Sequence, residues 1–313
     1  MKIYNAMSNW GKILLFCLLF LILVVLLNTV SMRRKLKEGY EQRDEEKGEK
    51  GEKFILKEGN DIYDDFYISI YDDLFYSTMK DDYEIGQIIN KTEPTSESRI
   101  LDIGSGIGHH VSKLQEQGYN VIGLDASEAM VKKAKETFPS SEFIVGDATG
   151  ALNFQFNYFT HILCMYFTIY HIKNKERFFT NVINWLMPGG YFILHLVDRE
   201  KFDPILPAGQ GFLIVSPQKY AKERITKTKV HFHDFVYSAD FDLNSSKNIA
   251  IFNEKFKFTN GSRVRKNQHI LYIETLDDIL TIAQQCGFII DGTIDLLKCG
   301  YDSQFLYILR KPT

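Results

Sequence analysis

The stretch Leu101-Asp102-Ile103-Gly104-Ser105-Gly106-Ile107-Gly108-His109-His110 does most to limit what this chain can become. An apolar run from Ser98 to Ile103 reads as a strand, glycines come next at alternate positions, and Ile107 to Gln117 has helical spacing. Glycine permits the sharp turn and lets a ligand reach the main chain without an intervening Cβ. The helix start behind it offers unpaired N–H groups and the positive end of the helix dipole. Such a cradle suits a nucleotide-like cofactor, but a lone glycine loop is also an ordinary strand-to-helix turn.

The apolar runs downstream, taken in order, give the loop its meaning. Residues 119 to 125, Tyr-Asn-Val-Ile-Gly-Leu-Asp, form a second apolar run that ends in an acid, seventeen residues after Gly108. A carboxylate at the end of a second parallel strand can accept both hydroxyls of a ribose. It can equally cap the helix opened by Ala126-Ser127-Glu128, as can Ser127. A third run, Glu142 to Asp147, also ends in an acid, and a fourth, Thr160 to Tyr166, is continuously apolar as a doubly covered strand should be. After the helical stretch Lys175 to Leu186 comes Pro188-Gly189-Gly190, a turn signal, and then a fifth strand, Tyr191 to Val197. This alternation predicts an α/β, Rossmann-like doubly wound parallel sheet with its ligands at the strand carboxyl ends.

The glycine spacing separates two cofactor classes. The nicotinamide and flavin fingerprint, G-x-G-x-x-G, would need glycine at 109, where this chain has histidine. The third glycine stands at 108, giving D-x-G-x-G-x-G, which resembles motif I of the class I S-adenosylmethionine-dependent methyltransferases. Asp125, Gly146-Asp147 and Pro188-Gly189-Gly190 agree with that family, and the resemblance covers roughly residues 60 to 310. It implies a seven-stranded sheet with the last strand antiparallel and S-adenosylmethionine as cofactor. By the same resemblance, Asp102, Gly104, Ser105, Gly106 and Gly108 hold the methionine end. Asp125, with Ala126 beside it, meets the ribose, Asp147 and Ala148 meet the adenine, and Cys164 to Tyr166 border the cofactor.

Two further stretches resemble parts of that family. Ile62 to Tyr76 is dense in tyrosine and acid, like the helix that folds over the cofactor in small-molecule methyltransferases, so Tyr67 or Tyr71 would line the transfer pocket. Plain aromatic packing on the sheet is the alternative. Phe167 to Ile172 resembles the sugar N-methyltransferases, which carry a histidine near the acceptor. His171 is therefore the candidate general base, since an unperturbed imidazole titrates near working pH; a packed or capping histidine is the other reading.

Beyond the fifth strand, helix Thr275 to Cys286, the run Gly287 to Ile290 and the strand Gln304 to Leu309 complete a methyltransferase of minimal size. Residues 201–273 are then an insertion. Its period-two runs, 231–237, 249–252, 255–258 and 269–273, are separated by Asn-Ser-Ser and Asn-Gly turns and read as a small antiparallel β cap over the cleft. Such a cap resembles the substrate-covering sheet of aminosugar and glycine N-methyltransferase-like enzymes.

The N-terminus differs in kind. Residues 1–12 are a short tail, and the unbroken apolar run Ile13 to Leu27, extended by Asn28-Thr29-Val30, is about the length that spans a bilayer. A cleaved signal peptide would need small residues where Asn28-Thr29-Val30-Ser31 stands, so a transmembrane anchor is expected. Arg33, Arg34, Lys35 and Lys37 come directly after it, which places the rest of a single-pass membrane protein in the cytosol. From Arg33 to Lys53, fifteen of twenty-one residues are charged, so 31–59 reads as a solvated linker to a domain at 60–313.

Composition and absences limit the partner. A formal net charge of −3 offers no bulk attraction to polyanions, and the cluster Lys219, Lys222, Arg224, Lys227 and Lys229 is broken by Glu223 and reads as a solvated face. Nucleic acid is therefore not expected, and a small-molecule acceptor is. The residues after the fourth strand, Cys164-Met165-Tyr166-Phe167, carry none of the Asx-Pro-Pro-aromatic signature of DNA amine methyltransferases. Four cysteines lack zinc spacing, and His231 with His233 alone makes no metal site. Three functions stay open: methyl transfer, a nucleotide-dependent oxidoreductase or epimerase, and a cofactor-binding scaffold without turnover.

Overall fold

The computed structural model describes residues 53–150, 154–210, 217–259, 261 and 263–313. The tail 1–12, the expected anchor at 13–30 and most of the linker lie outside the described residues. Among the described residues no helix is long and apolar enough to cross a membrane.

Two sheets make up the molecule. Strands β2 (Arg99–Ile103), β3 (Asn120–Asp125), β4 (Glu142–Val145), β5 (Phe159–Cys164) and β6 (Leu186–Val197) run parallel. Strand β12 (Gln304–Arg310) lies antiparallel between β6 and β11 (Ile289–Asp295). The order β11-β12-β6-β5-β2-β3-β4 reverses direction at β2, and a ligand crevice opens at such a reversal. Leu101, Ile162, Leu163, Ile193 and Leu194 have no exposed surface, as their unbroken apolar runs require of a sheet covered on both faces.

The second sheet is the cap, in the order β1-β10-β9-β8-β7. Strands β7 (Lys227–His231), β8 (Phe235–Asn244), β9 (Ile249–Phe258) and β10 (Arg263–Tyr272) form an antiparallel meander. Its edge is β1 (Lys53–Glu58), paired parallel to β10. The cap is thus mixed rather than purely antiparallel, and its edge strand comes from the stretch read as linker. Charged composition hid this strand because Phe54, Ile55 and Leu56 are its only apolar residues, and an edge strand is carried by backbone pairing.

Several local expectations are corrected. The helix after the glycine loop, α4 (His109–Glu116), begins two residues later than its apolar spacing suggests, because Gly108 at φ +93 is its N-cap. Pro188-Gly189-Gly190 lies inside β6 rather than before it: Gly189 N–H donates to the Lys311 carbonyl and Lys311 N–H to Gly190, so the C-terminus holds the turn in the ladder. The run 231–237 is not one strand: residues 232–234 turn the chain from β7 to β8, so His231 and His233 stand on different elements. Arg224 is not on a solvated face; it donates to the carbonyls of Arg199 and Phe202 and stacks on Phe202 and Phe241.

The Tyr-Asp-rich segment folds as two short helices, α1 (Asp65–Ser69) and α2 (Tyr71–Phe75), followed by α3 (Thr78–Thr92). Asp64 caps α1 by accepting from Tyr67 N–H at 3.1 Å. Phe66 packs edge-on to Phe235 and Phe256 of the cap, while Ile68 packs with Ile107 and Met130 beside the glycine loop. The segment therefore joins cap to sheet, and its aromatics do both things expected of them: they pack, and some line the cavity.

Candidate active site

A cavity of about 580 Å³ runs from the carboxyl ends of β2, β3 and β4 to the underside of the cap. At its sheet end, Gly104, at φ +72, turns the chain so tightly that a Cβ would stand 2.3 Å from Thr168 Oγ1. Its N–H and that of Ser105 both donate to the Leu124 carbonyl, which ties the loop to β3. Gly106, at φ +54, has nothing within 4 Å of where a Cβ would stand, so its main chain faces open space.

Asp125 organises this end. Its Oδ2 accepts from Gly106 N–H at 2.9 Å and its Oδ1 from Ser127 N–H at 2.8 Å, leaving each oxygen a further lone pair toward the cavity. Burial raises its pKa above the ordinary carboxylate value, although both backbone bonds oppose the rise. Asp147 holds Thr149 N–H and Oγ1 through Oδ1 alone. Asp125 and Ala126, Asp147 and Ala148, Gly104, Gly106, Tyr71 and His171 all line the cavity.

Asp102, Ser105, Gly108 and Cys164 do not line it; they stand behind the wall. Gly108 is required by packing, since a Cβ would lie 2.5 Å from the Phe143 ring. Cys164 is a fully buried strand residue. Asp102 is also buried, and its Oδ1 has no partner among the described residues. Burial pushes its pKa up to about 7 against the pull of His110, with Asp125, Asp81 and Glu84 adding to the rise.

Next to Asp102 lies a charged cluster that the sequence did not disclose. Asp81, Glu84 and His110 have potential ligand atoms within 4.8 Å of one another. Lys80 already supplies a cation there, with Nζ 2.6 Å from Glu84 Oε1. Burial opposes the charge of Glu84, but Lys80 and His110 hold its pKa down to about 2. Burial likewise opposes protonation of His110, yet Glu84 and Asp81 hold its pKa up to about 9. The group reads as a neutralised ion network.

Tyr166, just past β5, is held at φ +50, a strained conformation for an aromatic residue. Its carbonyl is bonded by His195 Nδ1 and its ring sits under Lys80 Nζ at 5.0 Å. It borders the cavity where β5 meets α5 (Thr168–His171).

Under the cap the lining becomes aromatic and aliphatic: Phe202, Ile205, Leu206, Phe241, Phe252 and Leu271. His171 is exposed to the cavity, and its ring lies 6.0 Å from that of His269 on β10. Removal from bulk water and the neighbouring His269 hold its pKa below the ordinary imidazole value, so it stays neutral. His269 Nε2 is 2.9 Å from Glu254 Oε2, and sequence reasoning missed this pair. The signal was present: Ala250, Phe252, Glu254 and Phe256 alternate onto one face of β9, so an acid stands in an apolar row.

Comparison with known proteins agrees with this arrangement. A family model described as a methyltransferase domain matches residues 101–194. The demethylmenaquinone methyltransferase of Renibacterium salmoninarum is 26% identical over 145 residues, which are 44% of this chain and 60% of that protein. The chain spans about half the length of the curated relatives it matches. Among solved structures, the CcbJ methyltransferase of Streptomyces caelestis superposes with a TM-score of 0.62 at 15% identity, covering 82% of this chain and all (100%) of that one. S-adenosylmethionine-bound CalS10, an amino pentose methyltransferase of Micromonospora echinaspora, gives 0.55 at 15% identity, covering 80% and 98%. The domain match over residues 101–194, the motif order and the seven-stranded sheet support a class I S-adenosylmethionine-dependent methyltransferase.

Proposed function

We propose that this chain transfers the methyl group of S-adenosylmethionine to a hydroxyl or amine of a small acceptor seated under the cap. The observation that carries the reading is Asp125, whose two oxygens hold the Gly106 and Ser127 N–H groups while facing a cavity that continues to the cap. The residues suit the donor. Gly106 leaves open space for it, and Asp102, a buried acid with an unsatisfied oxygen, stands behind the loop, where its charge would favour an ammonium group on the cavity side.

When bound, the donor supplies a methyl carbon already activated on a sulfonium sulfur. What remains for the protein is orientation, exclusion of water and handling of the acceptor's proton. Asp125 would hold the ribose hydroxyls, and Asp147 with Ala148 the adenine edge. Tyr71 and Tyr166 would close the cavity over the reacting atoms. His171, neutral and facing the cavity, would contact the acceptor as hydrogen-bond partner or base. An acceptor with an apolar body suits the aromatic lining beneath the cap.

The test is transfer of labelled methyl by the full-length protein across a panel of hydroxyl and amine acceptors. Transfer to any member supports the reading. Tight donor binding with no transfer, on the panel and on membrane lysate, would instead make the chain a scaffold.

From sequence alone, we also propose that residues 13–30 anchor the protein in a membrane with the catalytic domain in the cytosol. Glycosylation of an acceptor tag at the C-terminus in cells would contradict that topology.

A further inference from the structure

Beneath the cap lies a chain of buried polar groups that packing alone does not require. Arg265, on β10, donates to both oxygens of Asp64 at 2.6 and 2.8 Å and to the Ile62 carbonyl at 2.7 Å. Its Nε donates to Asn267 Oδ1 at 2.8 Å, and Asn267 Nδ2 donates to Glu254 Oε2 at 3.0 Å. Tyr237 donates to Glu254 Oε1 at 2.9 Å, which leaves Oε2 to face His269 Nε2 at 2.9 Å. Glu254 is 1% exposed, and burial opposes its charge; the bonds from His269 and Asn267 nevertheless hold its pKa below the ordinary value.

A carboxylate acts on such an imidazole in a defined way. Accepting from Nε2–H, it fixes the tautomer with Nδ1 bare, and it stabilises the imidazolium once Nδ1 takes a proton. No described residue bonds Nδ1, and His269 lines the cavity. The groups packed around the ring are Tyr63, Tyr67 and Phe252 with His171 opposite. None is a second cation, and Arg265 reaches the pair only through Asn267. The lining as a whole carries four carboxylates, Glu58, Asp125, Asp147 and Asp203, and no Lys or Arg among the described residues. Among the described residues, the phosphate or carboxylate of an acceptor would meet like charge with no Lys or Arg beside it.

We propose that the His269–Glu254 pair takes the proton of a hydroxyl or amine acceptor that bears no phosphate or carboxylate. This rests on the methyltransferase reading above and names its base and acceptor class. In the step, the acceptor's lone pair forms the bond to the methyl carbon as the methyl–sulfur bond breaks, its electrons passing to sulfur to leave a neutral thioether. The acceptor's proton moves to His269 Nδ1, and the resulting imidazolium is held by Glu254 until water removes the proton. His269 is the catalytic residue here and Glu254 its positioning residue.

The test uses the full-length protein with matched acceptors, catechol against 3,4-dihydroxybenzoate and ethanolamine against phosphoethanolamine. Binding is read by calorimetry in the presence of S-adenosylhomocysteine and turnover by labelled methyl. The member of each pair without the carboxylate or phosphate should bind at least about tenfold more tightly than its partner. His269→Asn should lower kcat on a methylated member by about 10²- to 10⁴-fold and remove the acid limb of its pH profile, with S-adenosylhomocysteine affinity unchanged. Glu254→Gln should lower kcat less and shift that limb, and Glu254→Asp should restore part of the rate. Preference for the anionic members, or His269→Asn with wild-type kcat and pH profile, would overturn the proposal. Failure of the wild type to bind S-adenosylhomocysteine at all would instead overturn the methyltransferase reading.

Discussion

The two ends of the cavity are built on different scales. At the donor end, the glycine loop and Asp125 are held by main-chain groups: Gly104 and Ser105 donate to Leu124, and Gly106 and Ser127 donate to Asp125. At the acceptor end, each side chain hangs on another, from Asp64 through Arg265, Asn267 and Glu254 to His269. A backbone-held site tolerates changes in neighbouring side chains. A buried polar chain fails where any link is cut, because the partner left behind has lost its water as well as its bond.

The sharpest way to break this comparison is to cut the cap network at its cation. Arg265→Ala leaves Asp64, Asn267 and the Ile62 carbonyl without their donor and should destabilise the fold by about 3 kcal/mol, read as a lower denaturant midpoint. A loss below about 0.5 kcal/mol would mean that the network is ornamental. The corresponding cut at the donor end is Asp125→Ala. It should weaken S-adenosylmethionine binding by about a hundredfold, since a carboxylate hydrogen bond is worth about 1.5–3 kcal/mol, while moving the midpoint less than the Arg265 change does.

Gly104→Ala attacks the donor end through its backbone. The new Cβ would overlap Thr168, and φ +72 disfavours any side chain, so a stability loss of about 1–3 kcal/mol is expected. Adding Thr168→Ala should recover the steric part and leave the conformational part. If the double variant were no better than the single, the overlap with Thr168 would not be the cause.

The smallest effect is expected from pH and distinguishes the ion network beside Asp102 from both ends. His110 has its pKa raised to about 9, so its pairing with Glu84 stabilises fully below the ordinary imidazole value of 6.5 and is lost as pH rises through about 9. Glu84, lowered to about 2, contributes fully above the ordinary value of 4.5 and loses that contribution as pH falls from there through about 2. Thermal midpoints measured from pH 6 to 10 should therefore fall at the alkaline end by the equivalent of about 1–3 kcal/mol, and His110→Gln should flatten that fall.

Legibility in the sequence divides the molecule in the same way. The donor end is local: Gly104 to Gly108, Asp125 and Asp147 each stand one turn past an apolar run, so order and spacing expose them. Even there the reasons differ from the motif's suggestion, since Gly108 answers to Phe143 and Asp102 sits behind the wall. The acceptor end joins residues from Asp64 to His269 across three elements, α1, β9 and β10, and no short spacing records such contacts. His171 was visible because it comes soon after β5. His269 lay unremarked within a strand run, and Glu254 could be noticed only as an acid on the apolar face of β9. The edge strand β1 was illegible because its pairing with β10 depends on backbone and leaves Phe54 and Leu56 largely exposed.

The central claim is that the loop at Gly104–Gly108 and Asp125 form a methyl-donor site. Titration calorimetry of the full-length protein with S-adenosylmethionine and, separately, with NAD tests it most directly. The predicted result is one S-adenosylmethionine site per chain, weakened about a hundredfold by Asp125→Ala, and no heat from NAD. Saturable binding of NAD without binding of S-adenosylmethionine would contradict it.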